Sequence, residues 1–159
     1  MFTPEERRAM IERLRCFPDE LEALADGLDE RQLRTAFIAG EWSVAQIIHH
    51  LADAHINAFI RTKLMVTEDN PIFKPYDQEA WALTPDYARP ISESLSILRG
   101  LHARWCTLFE NLTDEQMVRP GLHPELGPYR IDLILQGYNR HCDAHLDQIQ
   151  RTLAADPQG

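Results

Sequence analysis

A chain of 159 residues, 44% hydrophobic and 26% charged, has the size and make-up of one soluble globular domain, expected to span 1–159. Its net charge of −9 argues against nonspecific binding to nucleic acid or to an anionic membrane. Apolar runs too short to cross a bilayer, a start (MFTPEERRAM) without an apolar leader core, and three scattered cysteines without a CxxC pair point to a cytoplasmic protein with reduced thiols.

The first helix is expected over 4–26. Thr3 is a suitable N-cap and Pro4 sits in the first turn. Met10, Ile11, Leu14, Leu21, Leu24 and Ala25 make its apolar stripe, and Gly27 reads as its stop. Pro18 falls inside, so a kink or break is expected there. The second helix is expected over 43–67, opened by the capping-box pattern Ser43-x-x-Gln46 and closed by TEDNP. Residues 70–90 carry four prolines together with Phe73, Tyr76, Trp81 and Tyr87. So aromatic a segment reads as a structured crossover covering the core or the site.

The third helix is expected over 91–111, with Leu95, Leu98, Leu101, Trp105 and Leu108 facing inward and Leu112 just beyond. The loop TDEQMVRPGLHPELGP has room for one helical turn, and the fourth helix covers about 129–154. No stretch alternates with period two for long enough to argue a sheet. The expected fold is all-α, a four-helix bundle with a long crossover between the second and third helices.

The histidines sort by helical phase, at about 100° per residue. On the second helix Val44, Ile47, Ile48, Leu51, Ala54, Ala58 and Phe59 define an apolar arc, with His55 near its middle. His50 flanks the arc in line with Asn57 and Arg61, while His49 points further out and reads as a surface or interface residue. On the fourth helix His145 lies within the apolar arc and His141 at its edge. Two imidazoles spaced i,i+4 project from one side and can hold one ion. By face, His50 is the best third ligand, and three protein ligands leave a position open for chemistry. The bland alternative is a bundle with hydrogen-bonded interior histidines. His102 reads as structural, His123 as a loop residue that is either part of a site or without a role, and Cys142 as core packing.

The segment EWSVAQIIHHLADAHINAFIRTKLMVTEDNPIFKPYDQEAW, continued through LHARW, HPELG and HCDAHLDQI, resembles the YfiT branch of the DinB-like family. The likeness spans 42–149 and rests on W-S-x(6)-H-L, RTKLMVTEDNP, KPYD and the late HxxxH. It implies a four-helix bundle binding one divalent ion, nickel or zinc, through His50, His141 and His145. It further implies a homodimer, and a metal-dependent hydrolase or, as in wider relatives, a thiol S-transferase. This chain has YNRHCDAH where YfiT-like sequences are richer in histidine, so roles of those extra histidines do not carry over.

In such a site the ion activates water or a thiol acting on a small-molecule substrate, the thiol being of the bacillithiol or glutathione kind. Arg61 is the candidate for holding a substrate carboxylate, Asn57 for orienting water or a ligand ring, and Asp53 for accepting a hydrogen bond from behind a ligand. No H-E-x-x-H glutamate supplies a general base. A metal or small-molecule carrier is the non-enzymatic alternative. Ile56 and Ile60, opposite the polar flank, are candidates for a dimer face.

Overall fold

A computed structural model describes residues 2–125 and 127–158. Helix α1 spans Pro4–Ala25 and opens with a reciprocal cap: Glu6 N–H donates to Thr3 Oγ1 at 3.2 Å, and Thr3 N–H donates to the Glu6 carboxylate at 2.7 Å. The break expected at Pro18 does not occur. Proline has no N–H to give the Leu14 carbonyl one turn back. His102 Nδ1 donates to that oxygen instead, at 2.6 Å, so the helix continues with its freed acceptor satisfied. A short helix the sequence did not signal, α2 (Glu30–Arg34), follows Asp29.

Helix α3, Val44–Thr67, starts where the capping pattern places it. Ser43 N–H donates to Gln46 Oε1 at 3.0 Å and Gln46 N–H to Ser43 Oγ at 3.3 Å. The Arg119 guanidinium donates to the Met65 and Glu68 carbonyls at 2.6 and 2.5 Å, satisfying acceptors at the helix end. The crossover is ordered, as its aromatics suggest. It contains α4 (Gln78–Trp81) and a 3₁₀ turn, Pro85–Ala88, and buries Phe73 and Tyr87.

Helix α5, Ile91–Asn111, keeps its expected bounds, and the one-turn helix α6 is Asp114–Met117. A hairpin then corrects the expectation of no sheet: β1 (Pro120–His123) pairs antiparallel with β2 (Gly127–Arg130). Four-residue strands carrying glycine and proline are too short to show an alternating pattern. Tyr129 and Arg130 complete β2, so the last helix, α7, is Ile131–Ala154 and starts later than expected.

Both α1 and α3 pack along α5 and along α7, which puts α1 and α3 at opposite corners of a four-helix bundle. The consecutive pairs α1–α3 and α5–α7 therefore stand on the diagonals, so their connections cross the bundle end, while the crossover joins the neighbours α3 and α5. Leu14, Phe17 and Leu21 of α1 meet Ile47, Ile48 and Leu51 of α3, Leu98, Trp105 and Phe109 of α5, and Leu135 and Ile149 of α7 in one core. Leu95, Leu101 and Leu108 flank that core half-buried, while His102 and Cys106 go deeper. All three cysteines are free thiols, Cys106 and Cys142 buried and Cys16 exposed. Among the described residues no helix is long and apolar enough to cross a membrane.

Candidate metal centre

His50 from α3 and the His141–His145 pair from α7 converge at the edge where the two helices meet. One ligand atom from each lies within 4.8 Å of the others. The ring centroids of His50 are 5.6 Å from His141 and 5.1 Å from His145, and the α7 pair is 4.4 Å apart. All three line one pocket of about 350 Å³, walled by Glu41, Trp42, Gln78, Glu79 and Gln148. Cys142 points into the core and is not in the cluster.

Their protonation suits a cation. Burial pushes His50 down to about 4, helped by neighbouring His145. Burial pushes His141 down to about 3, with His145 and His50 adding to it, and lowers His145 as well. The rings are neutral at neutral pH, the state that offers a lone pair. His145 Nδ1–H donates to Gln148 Oε1 at 2.8 Å, leaving Nε2 for an ion. His141 Nδ1 is engaged with His55 Nε2 at 3.2 Å, again leaving Nε2. The buried His50 Nδ1 has no protein hydrogen-bond partner, a costly state for an imidazole whose partner is not a cation or water. Donor type, charge state and this orphaned nitrogen all fit a divalent ion.

The DinB superfamily model matches residues 13–149. The chain belongs to the DinB superfamily. A protein of Oceanobacillus iheyensis is 43% identical over 139 residues, covering 87% of this chain and 81% of the relative. One from Halalkalibacterium halodurans is 40% identical over 143 residues, covering 90% and 84%. Both are provisionally described as metal-dependent hydrolases. Among solved structures, YfiT from Bacillus subtilis superposes with a TM-score of 0.92 at 34% identity, over 96% of this chain and 88% of that one. It too is provisionally described as a metal-dependent hydrolase, with an unusual four-helix bundle topology.

Within this DinB-superfamily bundle, the other singled-out residues go elsewhere. Asn57 Nδ2 donates to the Asp53 carbonyl of its own helix at 2.9 Å. Arg61 lies over the Phe73 ring and donates to the Lys74 carbonyl at 3.3 Å, lining a separate cavity of about 130 Å³ with His123, Tyr129 and Tyr138. Neither lines the histidine pocket. Asp53 does not back a ligand; its carboxylate accepts from Tyr87 OH at 2.8 Å. His49 is not a surface residue: the crossover folds over it. Its Nε2–H donates to the Arg89 carbonyl at 3.1 Å, so its Nδ1 accepts from Ser94 Oγ–H at 2.8 Å.

Two pocket residues carried no sequence signal of their role. Trp42 packs its ring 4.8 Å from that of His50 and donates Nε1–H to Glu79 at 3.2 Å, joining the crossover to the site. Glu41 has Oε1 3.4 Å from Arg151, while its buried Oε2 has no partner. Both precede the N-cap of α3, outside any helical period. Gln148 was within reach of sequence reasoning, because it stands one turn beyond His145 on the same face.

Proposed function

We propose that this chain is a metal-dependent hydrolase whose single divalent ion is held by His50, His141 and His145. One observation carries the reading: three neutral imidazoles from two helices meet in one pocket, with Nε2 of both α7 rings left for an ion. Such a donor set suits zinc or nickel. When bound, the ion would keep its full charge among three neutral ligands and would supply a water acidified toward a pKa of about 7.

The chain's own residues favour water over a thiol as the nucleophile. The pocket wall carries Glu41 and Glu79. A low-molecular-weight thiol bearing carboxylates would meet two like charges there. Water meets a carboxylate suited to take its proton: Glu41 Oε2 is buried without a partner, and Arg151 faces the other oxygen. We assign proton acceptance to Glu41, and no part of the reaction to Asn57 or Arg61. Trp42 packs beside His50, and Gln78 and Glu79 of α4 line the same pocket.

Metal analysis of the purified protein tests the site. His50→Ala, His141→Ala and His145→Ala should each lose the bound equivalent; if His50→Ala and His141→Ala both keep a full equivalent, the three-histidine site is wrong. Zinc- or nickel-loaded protein should then turn over members of an ester and amide panel. Turnover only of a thiol with a halogenated electrophile would overturn hydrolysis. Glu41→Gln should keep the metal and lose activity by about 10²–10⁴-fold.

A further inference from the structure

Behind His141 the buried histidines form a directed chain. His141 Nδ1 faces His55 Nε2 at 3.2 Å, His55 Nδ1 faces His102 Nε2 at 2.7 Å, and His102 Nδ1 faces the Leu14 carbonyl at 2.6 Å. The last link sets the direction of all the others. A carbonyl oxygen only accepts, so His102 carries its proton on Nδ1. A neutral imidazole then has a bare Nε2, and His55 must donate to it from Nδ1. By the same logic His55 Nε2 is bare and His141 must carry its proton on Nδ1.

We propose that His55 and His102 are positioning residues for His141, holding it in the Nδ1–H tautomer with its Nε2 lone pair turned to the ion. The proposal rests on His141 being a ligand. Leu14 has its carbonyl free for this use because Pro18, one turn on, has no N–H to offer it. The proline inside α1 thus anchors a chain that ends at the pocket. Aromatic rings fix the histidine planes: Phe17 lies 5.6 Å from His55 and 5.5 Å from His102, and Tyr138 meets His55 edge-on at 5.1 Å. His55 and His102 are 0% and 1% exposed, and burial that deep disfavours a charged imidazole, which suits the neutral state the alternation requires. The far end is a carbonyl, which can neither release nor take up a proton. The chain therefore sets orientation and does not carry protons between site and solvent.

Nitrogen-detected NMR of the metal-free protein, labelled on histidine, reads the tautomer directly. We expect His141 as Nδ1–H with a bare Nε2; the Nε2–H form in wild-type protein would overturn the proposal, whether or not the site takes metal. Zinc competition against a chelator gives the second readout. His55→Phe, which removes both bonds at similar volume, should weaken zinc binding by about 10–100-fold at unchanged stoichiometry. His55→Gln, which offers an acceptor and a donor again, should recover much of it. Wild-type affinity in His55→Phe would also overturn the proposal. If His55→Phe does not fold, the wild-type tautomer still decides. If wild-type protein takes up no zinc, the reading of the metal site falls, and the tautomer measurement judges the chain on its own.

Discussion

Burial sets the charge state of His102, which is 1% exposed and stacked on Phe17. Its pKa is pushed from 6.5 in an open chain to about 4 by desolvation, against a smaller upward pull from the Leu14 carbonyl. The unfolded chain therefore takes up a proton at this residue before the folded protein does. The stabilisation is fully present above pH 6.5 and is lost as pH falls toward 4, on the order of 3 kcal/mol from this one residue. Urea midpoints of metal-free protein should fall steadily between pH 6.5 and 4, and His102→Gln should flatten that dependence; equal slopes would refute it. Little of this was visible in the sequence. Helical phase placed His55 in the core, but its pairing with His102 depends on how α3 and α5 are offset along their axes. The same limit misplaced His49. Its outward phase on α3 is real, yet the 3₁₀ turn at Pro85–Ala88 and Ser94 cover it. His141 and His145 were legible as a pair because i,i+4 spacing is a property of one helix.

At the scale of elements, the crossover is held by the hairpin and not by the helices alone. Phe73 N–H donates to the Leu122 carbonyl and Leu122 N–H to the Pro71 carbonyl, each at 2.9 Å. These bonds press the Phe73 ring onto Gly121, where an added Cβ would stand 2.4 Å from Phe73 Cζ and 3.0 Å from Met65 Cγ. The backbone is pinned on both sides of the contact, so Gly121→Ala should cost about 1–3 kcal/mol by overpacking. Gly137, inside α7 with nothing near its missing Cβ, is the opposite case. Gly137→Ala should gain about 0.5–1 kcal/mol from helix propensity alone. Thermal melts of the two variants should shift in opposite directions, and a neutral Gly121→Ala would show that the crossover is looser than its hydrogen bonds suggest. The long helices were readable because their stripes and caps repeat over many turns; α5 and the start of α3 fall where the pattern put them. The hairpin and α2 were not, since four or five residues hold too little period to stand out. Proline at position 18 misled for a related reason: what rescues α1 there is a donor from another helix.

Across the whole molecule, the three histidines span a seam. His50 belongs to α3 and the other two to α7, neighbouring corners of a bundle in which α1–α3 and α5–α7 lie on the diagonals. That diagonal arrangement is set by the two connections α1–α3 and α5–α7 and has no signature in local periodicity. It has an energetic consequence. An ion binding all three histidines ties α3 to α7 directly, and through Trp42 and Glu79 reaches the crossover. Unfolding separates the helices and dissolves the site, so ligation adds to stability by mass action. At zinc a hundredfold above Kd the gain is about 2.7 kcal/mol. For a chain of this length that raises the melting temperature by roughly 5–10 °C. Wild-type protein stripped with a chelator should melt lower by that margin and recover when zinc is restored. His141→Ala should melt at one temperature with or without zinc, because two remaining imidazoles on different helices bind too weakly to hold the seam. A shift in His141→Ala as large as in wild type would place the stabilising ion elsewhere in the molecule.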